Sequence, residues 1–200
     1  MNSLSHFSKL LSLLFFLVCL ITDGISKEDP SHPTSGNPLP DETLVAEDPE
    51  IPVIPNSVGY GITTPAGRGG VIYKVTSLED AGIGTLRECV EALGPRVCVF
   101  ETSGVIQLAG ELKISNPNIT IAGQTAPSPG VMLYGAQMVI RTQDVLIQHL
   151  GVRLGDPLNG QEAQDADVRD CISIREGSDR IILDHLSLAW GTDENLSIVV

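Results

Sequence analysis

Three short stretches decide the fold of this chain: NITIAGQ (118–124), DVLIQHL (144–150) and DRIILDHL (179–186). Each begins with a residue that favours turns, continues as an apolar strand and then becomes polar. Repeats of one strand at intervals of about 20–50 residues are typical of a solenoid, in which each turn of the chain stacks on the one before. The stretches therefore predict an all-β fold, a parallel β-helix. The alternative is a Greek-key sandwich, whose strands recur about every 8–12 residues.

The rest of the folded region supports a solenoid with one helix. Further strand candidates are VIYKVTSL (71–78), VCVF (97–100), VIQL (105–108), VMLYG (131–135), MVIRT (138–142), CISIR (171–175) and the continuation of the second repeat to residue 154. Helix formation is predicted for GTLRECVEALGP (84–95), where Thr85 and Glu88 form a capping box and Gly94-Pro95 ends the helix. The residues expected on its apolar face are Leu86, Cys89, Val90 and Leu93.

Composition excludes some functions and restricts others. Hydrophobic residues make up 42% of the 200 residues and aromatic residues only 4%, so the core is expected to consist of aliphatic side chains. The formal net charge of −13 argues against a nucleic-acid partner, since phosphates require Lys and Arg to replace their counterions. An acidic protein that acts on an acidic polymer would need a cation between the two.

The N-terminus resembles a secretory signal. Lys9 precedes the apolar run LLSLLFFLVCLI (10–21), which is shorter than the about 20 residues that a membrane-spanning helix needs. Residues 1–26 are therefore predicted to be a cleaved signal peptide, and the mature protein to be secreted, extracellular or periplasmic, without a membrane anchor. The alternatives are a lipid anchor through Cys19 and a retained apolar anchor.

The next segment, residues 27–55, holds seven of the thirteen prolines, seven acids and one lysine. Such a composition cannot bury a core, which predicts a disordered linker. The folded domain is expected to occupy residues 56–200. Glycine-rich GYGITTPAGRGG (59–70) lies at its start and has the spacing of neither phosphate-binding glycine motif.

Three cysteines remain after the signal. In a secreted chain two of them are expected to pair, and Cys89 and Cys98 are the natural pair, with Cys171 buried and free. Two separate buried thiols are the alternative. The spacing of Cys and His does not suit a zinc site of the usual kind.

Several stretches, in this order, carry a resemblance to a known family. They are GYGITTPAGRGG (59–70), VTSLEDAGIGTLRECVEALGPRVCVFETSGVIQL (75–108), ITIAGQTAPSPGV (119–131), VRLGD (152–156), DCISI (170–174) and IILDHLSLAWGTDE (181–194). From Gly59 onward the chain resembles the pectate lyase superfamily, particularly polysaccharide lyase family 1, in its N-terminal portion. The resemblance implies a right-handed parallel β-helix capped by a helix at its N-terminal end. It also implies a lyase that cleaves polygalacturonate by calcium-assisted β-elimination.

The same resemblance implies a calcium site. Asp170 matches a calcium-binding Asp of the family, and Asp193 lies near the first acid of a D-x-x-x-D pair whose second member is Ser197 here. Glu194 could compensate, although in a strand it would point away from Asp193. Hard Ca²⁺ takes 6–8 oxygen ligands, which carboxylates supply. The alternative for each acid is a solvated surface position.

The insertion before Asp170 could supply further oxygens through Asp165 and Asp167. DADVRD (165–170) is not an EF-hand, because the glycine and the closing glutamate are missing. With calcium as the bridge, the expected partner is an acidic plant-type polysaccharide, and the protein is expected to be a monomer.

Asp184 and His185 match a segment that the family keeps away from its metal groove, so a hydrogen-bonded structural pair is expected rather than a catalytic dyad. His149 occupies the equivalent place one repeat earlier, which predicts an internal ladder of two histidines. The family's proton acceptor is an arginine, and the resemblance places it beyond Val200, which predicts that this chain is an incomplete fragment. An inactive chain is the alternative. The arginines that are present match no such motif; they are Arg141, Arg153, Arg169, Arg175 and Arg180.

Two other functions remain open. One is a non-catalytic carbohydrate-binding β-helix, which Ser197 and the missing base allow. The other is a β-helix glycoside hydrolase, which needs two carboxyl groups about 5–9 Å apart and could use Asp184 with Asp193. Asn118 and Asn195 begin glycosylation sequons, which predict a glycoprotein if the secretory pathway is eukaryotic.

Overall fold

The structure is a computed structural model that describes residues 51–155 and 169–199. The predicted signal peptide, most of the predicted linker, and Asp165 and Asp167 lie outside the described residues. The described part holds one α-helix, one 3₁₀ turn and thirteen strands. The helix is α1 (Leu86–Glu91) and the 3₁₀ turn is Gly123–Thr125. The strands are β1 (Val71–Val75), β2 (Arg96–Phe100), β3 (Gly104–Gln107), β4 (Leu112–Ile114), β5 (Ile119–Ala122), β6 (Val131–Tyr134), β7 (Met138–Ile140), β8 (Gln143–Gln148), β9 (Gly151–Arg153), β10 (Ile172–Ile174), β11 (Asp179–Asp184), β12 (Ser187–Ala189) and β13 (Leu196–Ile198).

The strands form three sheets whose neighbours are all parallel. Sheet A has the order β1-β2-β5-β8-β11, sheet B β12-β9-β6-β3 and sheet C β13-β10-β7-β4. Three successive strands, one from each sheet, make one rung: β2 to β4 form rung 1, and β11 to β13 form rung 4. The predicted parallel β-helix is confirmed. The Greek-key alternative is wrong, because hairpin and Greek-key connections give antiparallel neighbours.

The core is a set of aliphatic columns that run along the helix axis. Because side chains alternate across a strand, every second residue points inward, and parallel pairing places it on its counterpart in the next rung. Each inward column is made almost wholly of branched or sulfur-containing apolar side chains. The columns are Cys98, Ile121, Ile147 and Leu183 in sheet A, Ile106, Leu133, Val152 and Leu188 in sheet B, and Ile114, Ile140, Ile174 and Ile198 in sheet C.

Helix α1 contacts β1, β2 and β4 beside rung 1. Thr85 is its N-cap, its hydroxyl accepting a hydrogen bond from the Glu88 amide at 3.2 Å, while the Glu88 carboxylate accepts from the Gly84 amide at 2.6 Å. The predicted capping box is therefore present, shifted by one residue on its return bond. The prediction for Leu93 is wrong: the helix ends at Glu91, and Leu93 is 83% exposed.

Two features of rung 1 hold α1 in place. Cys89 of α1 and Cys98 of β2 form a disulfide, as the sequence predicts, and Cys171 is free and buried. The second feature is Arg96, a fully buried arginine that has no carboxylate partner among the described residues. Its guanidinium instead donates to five backbone carbonyls, two of them in α1.

The glycine-rich residues 59–70, here called the strap, run along sheet A across all four rungs. A Cβ on Gly61 would lie 2.7 Å from the carbonyl oxygen of Ile181 in rung 4. The Thr64 hydroxyl donates to Asp144 at rung 3, and the Gly67 amide donates to the Thr120 hydroxyl of rung 2. Gly61 and Gly67 therefore serve close backbone contact between the strap and the rungs, which the sequence alone did not reveal.

The strap also has ordered contacts before the predicted domain start at residue 56. The Val53 amide donates to the Ile62 carbonyl at 2.8 Å, and Arg68 donates to the Ile51 carbonyl. Residues 51–55, assigned to the linker from composition, thus pair with the strap. No helix in the described ranges is both long enough and apolar enough to cross a membrane.

The register corrects one detail of the repeat. Gln143 pairs with Asp179 and Val145 with Ile181, so Asp144 lies at the level of Arg180 rather than of Asp179. Asp144 is buried and accepts two hydrogen bonds from Arg180, both at 2.7 Å. In register, the residue of the third repeat that corresponds to Asp144 is therefore Arg180, and the two form an ion pair between neighbouring rungs.

Candidate metal centre

Three acids from rungs 3 and 4 meet at the corner between sheets B and C. Asp170 lies just before β10, while Asp193 and Glu194 lie before β13, and β10 and β13 are neighbours. One carboxylate oxygen from each of the three lies within 4.8 Å of the others. The structure thus brings together three of the five acids predicted as calcium ligands. The other two, Asp165 and Asp167, are outside the described residues.

Backbone hydrogen bonds fix this corner. The amides of Thr192 and Asp193 donate to the Arg169 carbonyl, and the Glu194 amide donates to Asp170 Oδ1 at 3.2 Å. Gly191 permits the tight turn, since a Cβ there would lie 2.2 Å from the Glu194 carbonyl oxygen. The loop of rung 4 is therefore closed around the carboxylate of rung 3.

The expectation that Glu194 points away from Asp193 is wrong. It assumed a strand, in which neighbouring side chains alternate, but β13 begins only at Leu196. Asp193 and Glu194 lie in the bend before it, so both carboxylates can face the same point.

Ser197, which replaces an acid of the family pattern, contacts the cluster directly. Its hydroxyl donates to Asp170 Oδ2 and lies 2.9 Å from the hydroxyl of Ser173, its partner in β10. Asp170 and Ser173 are both buried. The neutral hydroxyl of Ser197 therefore holds buried Asp170, at the position where the family pattern has a further acid.

The cluster has the chemistry of a hard-cation site. Within the described ranges, no Lys, Arg or His lies in an ion pair with Asp170, Asp193 or Glu194. Asp170 is buried, whereas Asp193 and Glu194 are exposed and accessible to an incoming ion or polymer. Ca²⁺ prefers such carboxylate oxygens, at 2.3–2.6 Å, and accepts water for the positions that the protein leaves. The residues present fit calcium.

A second cluster lies at the corner between sheets A and B. The Asp184 carboxylate accepts from the Gln148 amide at 2.9 Å and lies 2.6 Å from Nδ1 of His185, and Gln124 donates to Gln148 at 3.0 Å. The Gln148 hydrogen bond, with a smaller contribution from His185, lowers the pKa of Asp184. Sequence reasoning missed the two glutamines, because single polar residues at strand ends are common.

The two histidines stack, but on the outside. The rings of His149 and His185 lie 4.6 Å apart at 12°, and both residues are exposed. The prediction of an internal ladder is wrong in its location, because these residues follow β8 and β11 at the corner and project into solvent. Asp184 groups with the histidines and Asp193 with the other acids, so the pairing that a glycoside hydrolase would need receives no support.

Two of the candidate arginines lie in strands, Arg180 in β11 and Arg153 in β9. Arg180 is paired with Asp144 and Asp179, and its pKa is raised chiefly by the hydrogen bonds to Asp144. Arg153 donates to the hydroxyl of Ser187 in the neighbouring rung. Neither therefore offers a free guanidine for proton abstraction.

Comparison with known proteins agrees with this architecture. "Probable pectate lyase C" of Emericella nidulans is 39% identical over 145 residues, which are 72% of this chain and 32% of that protein. The protein of the same name from Aspergillus fumigatus is 37% identical over the same shares. The described β-helix belongs to the pectate lyase superfamily. "Probable pectate lyase 13" of Arabidopsis thaliana, 32% identical over 149 residues, extends the superfamily likeness to plants.

The chain spans about a third of the length of these curated relatives. Among solved structures, jun a 1, the major allergen from cedar pollen, matches with a TM-score of 0.58 at 24% identity, over 71% of this chain and 44% of that one. This likeness supports the fold alone. No sequence model of a known protein family matches the chain.

Proposed function

We propose that this chain is part of a secreted polysaccharide lyase that cleaves polygalacturonate by calcium-assisted β-elimination. The observation that carries the proposal is the cluster of Asp170, Asp193 and Glu194, which has no cationic partner in the described ranges and lies on a β-helix of the pectate lyase superfamily. The names of the curated relatives support the same substrate class.

In this proposal the three acids hold calcium between the protein and the polymer. Calcium bound there would neutralise the uronate carboxylate and acidify the proton on the adjacent carbon. Asp170 anchors the site, because it is buried and held by the Glu194 amide and the Ser197 hydroxyl. Exposed Asp193 and Glu194 complete the site from the solvent side. A cation bridge also suits the net charge of −13, which opposes the binding of another anion.

The test is an assay of polygalacturonate with the full-length protein that carries the catalytic arginine, with and without a calcium chelator. Calcium-dependent formation of unsaturated ends, which absorb in the ultraviolet, supports the lyase. Asp170→Asn should abolish the calcium-dependent cleavage. Glu176→Gln, a change of an exposed acid outside the cluster, should leave that cleavage unchanged. Saturated reducing ends would contradict the proposal in favour of a hydrolase.

A non-catalytic carbohydrate-binding β-helix is the second candidate, and Ser197 favours it. A site with one fewer carboxylate than the family pattern still fits calcium-mediated binding. Calcium-dependent retention on immobilised polygalacturonate without any cleavage would support this second candidate. Retention that survives the chelator would contradict both.

Secretion belongs to the same proposal. We infer removal of residues 1–26, an extracellular or periplasmic location, a monomeric domain and, in a eukaryotic host, glycans on Asn118 and Asn195. Asn195 is exposed, whereas Asn118 is half-buried. N-terminal sequencing of the secreted product and a mass shift on deglycosylation test these inferences.

A further inference from the structure

The stacked histidines have a geometry that the proposed function does not use. His149 and His185 directly follow Gln148 and Asp184, which are paired across β8 and β11. Both adopt left-handed backbone conformations, with φ of 50° and 52°. This shared conformation at the same corner directs both rings outward, one above the other. A non-glycine residue rarely adopts it, and here two do so on successive rungs.

A hydrogen-bond chain sets the chemical state of His185. The Asp184 carboxylate can only accept, so Nδ1 of His185 carries the proton that joins them at 2.6 Å. Asp184 is itself held by Gln148, and Gln148 by Gln124. In the neutral ring of His185 the lone pair is then on Nε2, the nitrogen that does not contact Asp184. Carboxylates fix metal-binding histidines in this way.

Within the described ranges the ring of His149 makes no hydrogen bond, and it stacks on the ring of His185. One nitrogen from each histidine and one oxygen of Asp184 lie within 4.8 Å of each other. The His185 side chain is 69% exposed, so its ring has room to rotate out of the stack and bring a nitrogen to the about 2.0–2.1 Å that zinc requires.

We propose that His149 and His185 bind a first-row transition-metal dication, with Zn²⁺ as the natural probe, and that Asp184 orients His185 as a positioning residue. Imidazole nitrogen suits zinc, copper and nickel, whereas calcium selects oxygen. An open cleft of about 750 Å³ borders both rings and leaves space for water or another ligand on the metal. The metal would link rung 3 to rung 4.

This site is separate from the acid cluster. The histidines lie at the corner between sheets A and B, and the acids at the corner between sheets B and C. Zinc and calcium are therefore expected to bind independently, each to its own corner.

Calorimetric titration of the full-length protein with zinc chloride tests the proposal. His149→Gln and His185→Gln should each weaken zinc binding at least tenfold, and the double variant should abolish it. His32→Gln, a histidine outside the described ranges, is the matched control and should change nothing. Asp193→Asn should weaken calcium binding and leave zinc binding unchanged. Zinc affinity that is equal in the double variant and the unmodified protein would overturn the proposal.

A second measurement needs no variant and so does not depend on how a variant folds. Substoichiometric Cu²⁺ should broaden the ring proton signals of His149 and His185 together, and zinc should protect them from broadening. Equal broadening of every histidine, or displacement of zinc by an equal concentration of calcium, would contradict the site.

Discussion

Ser197 determines how much negative charge surrounds the candidate calcium site. It donates to the buried Asp170 and thereby satisfies one carboxylate oxygen without adding charge. Calcium affinity in oxygen sites rises with the number of charged ligands and with the rigidity of the site. The residue that departs from the family pattern is therefore the one at which affinity can be raised.

We expect Ser197→Asp to tighten calcium binding on the order of tenfold. Without calcium the same change should lower the melting temperature, because it places a carboxylate beside buried Asp170. Calcium titration and thermal melts with and without chelator measure the two effects. Ser115→Asp, an exposed change on another rung, is the control. Unchanged calcium affinity would mean that residue 197 does not face the ion.

Asp184 provides a pH-dependent contribution to stability. Its pKa in the folded protein is lowered, first by the Gln148 amide and then by His185. A lowered folded-state pKa means that ionisation stabilises the fold. The contribution is complete above the ordinary carboxyl pKa of about 3.9 and is lost as the pH falls through the lowered value.

Replacing Gln148 by Leu should therefore raise the pKa of Asp184 and shift this loss to higher pH. Carbon NMR of the Asp184 carboxyl group during a pH titration measures the change directly. Gln107→Leu, at an exposed position of β3, serves as the control. An Asp184 pKa that does not move would assign the shift to another neighbour.

At the scale of elements, α1 and the strap both depend on close contact with the rungs. The sequence predicted α1 from its capping box, because that signal is local. It could not predict the strap, because the need for glycine arises from contact with distant residues such as Thr120 and Ile181. It also misplaced Leu93, since the end of a short helix depends on what the next residues contact.

Arg96 joins α1 to the first two rungs. Its guanidinium donates to carbonyls of Cys89 and Val90 in α1 and of Asn116 and Pro117 before β5, and burial lowers its pKa. Arg96→Met removes these charged hydrogen bonds and leaves buried carbonyls without donors. We expect a loss of about 3 kcal/mol or more in unfolding free energy, measured by urea denaturation. Arg68→Met, an exposed arginine of the strap, should cost far less.

Among the strap glycines, Gly67 leaves the least space for a side chain. A Cβ there would lie 2.0 Å from the Arg96 carbonyl oxygen, so Gly67→Ala must move backbone on one side or the other. We expect destabilisation of about 1–3 kcal/mol or more, as for other overpacked sites. Gly110→Ala is the matched control, because nothing lies within 4 Å of its Cβ. A melting temperature equal to that of the control would show that the strap is not closely packed on rung 1.

At the scale of the whole molecule, the fold was predictable because its signal repeats. Three stretches of the sequence begin with a turn residue, continue as an apolar strand and then become polar. Stacking the equivalent residues of these stretches gives the parallel register. The candidate site was predictable only in part. The family pattern identified Asp170 and Asp193, but the bend that turns Glu194 toward them comes from Gly191 and the Arg169 carbonyl. The exposure of the histidines likewise depends on the corner geometry and on no pattern of apolar residues.

A stack of rungs also predicts that stability is local. In repeat architectures each unit contacts its neighbours, so a perturbation at one end decays with distance. The disulfide between Cys89 and Cys98 joins α1 to rung 1 and closes a short loop, worth somewhat under about 3 kcal/mol on the chain-entropy account. Its reduction should therefore accelerate amide exchange strongly in α1 and β2 and weakly in β11 of rung 4. Hydrogen exchange with mass spectrometry resolves these segments. The control is the Cys89→Ala/Cys98→Ala double variant, which retains Cys171 and in which reductant should not change the amide exchange rates. Uniform acceleration in all rungs would instead show that the β-helix unfolds as one cooperative unit.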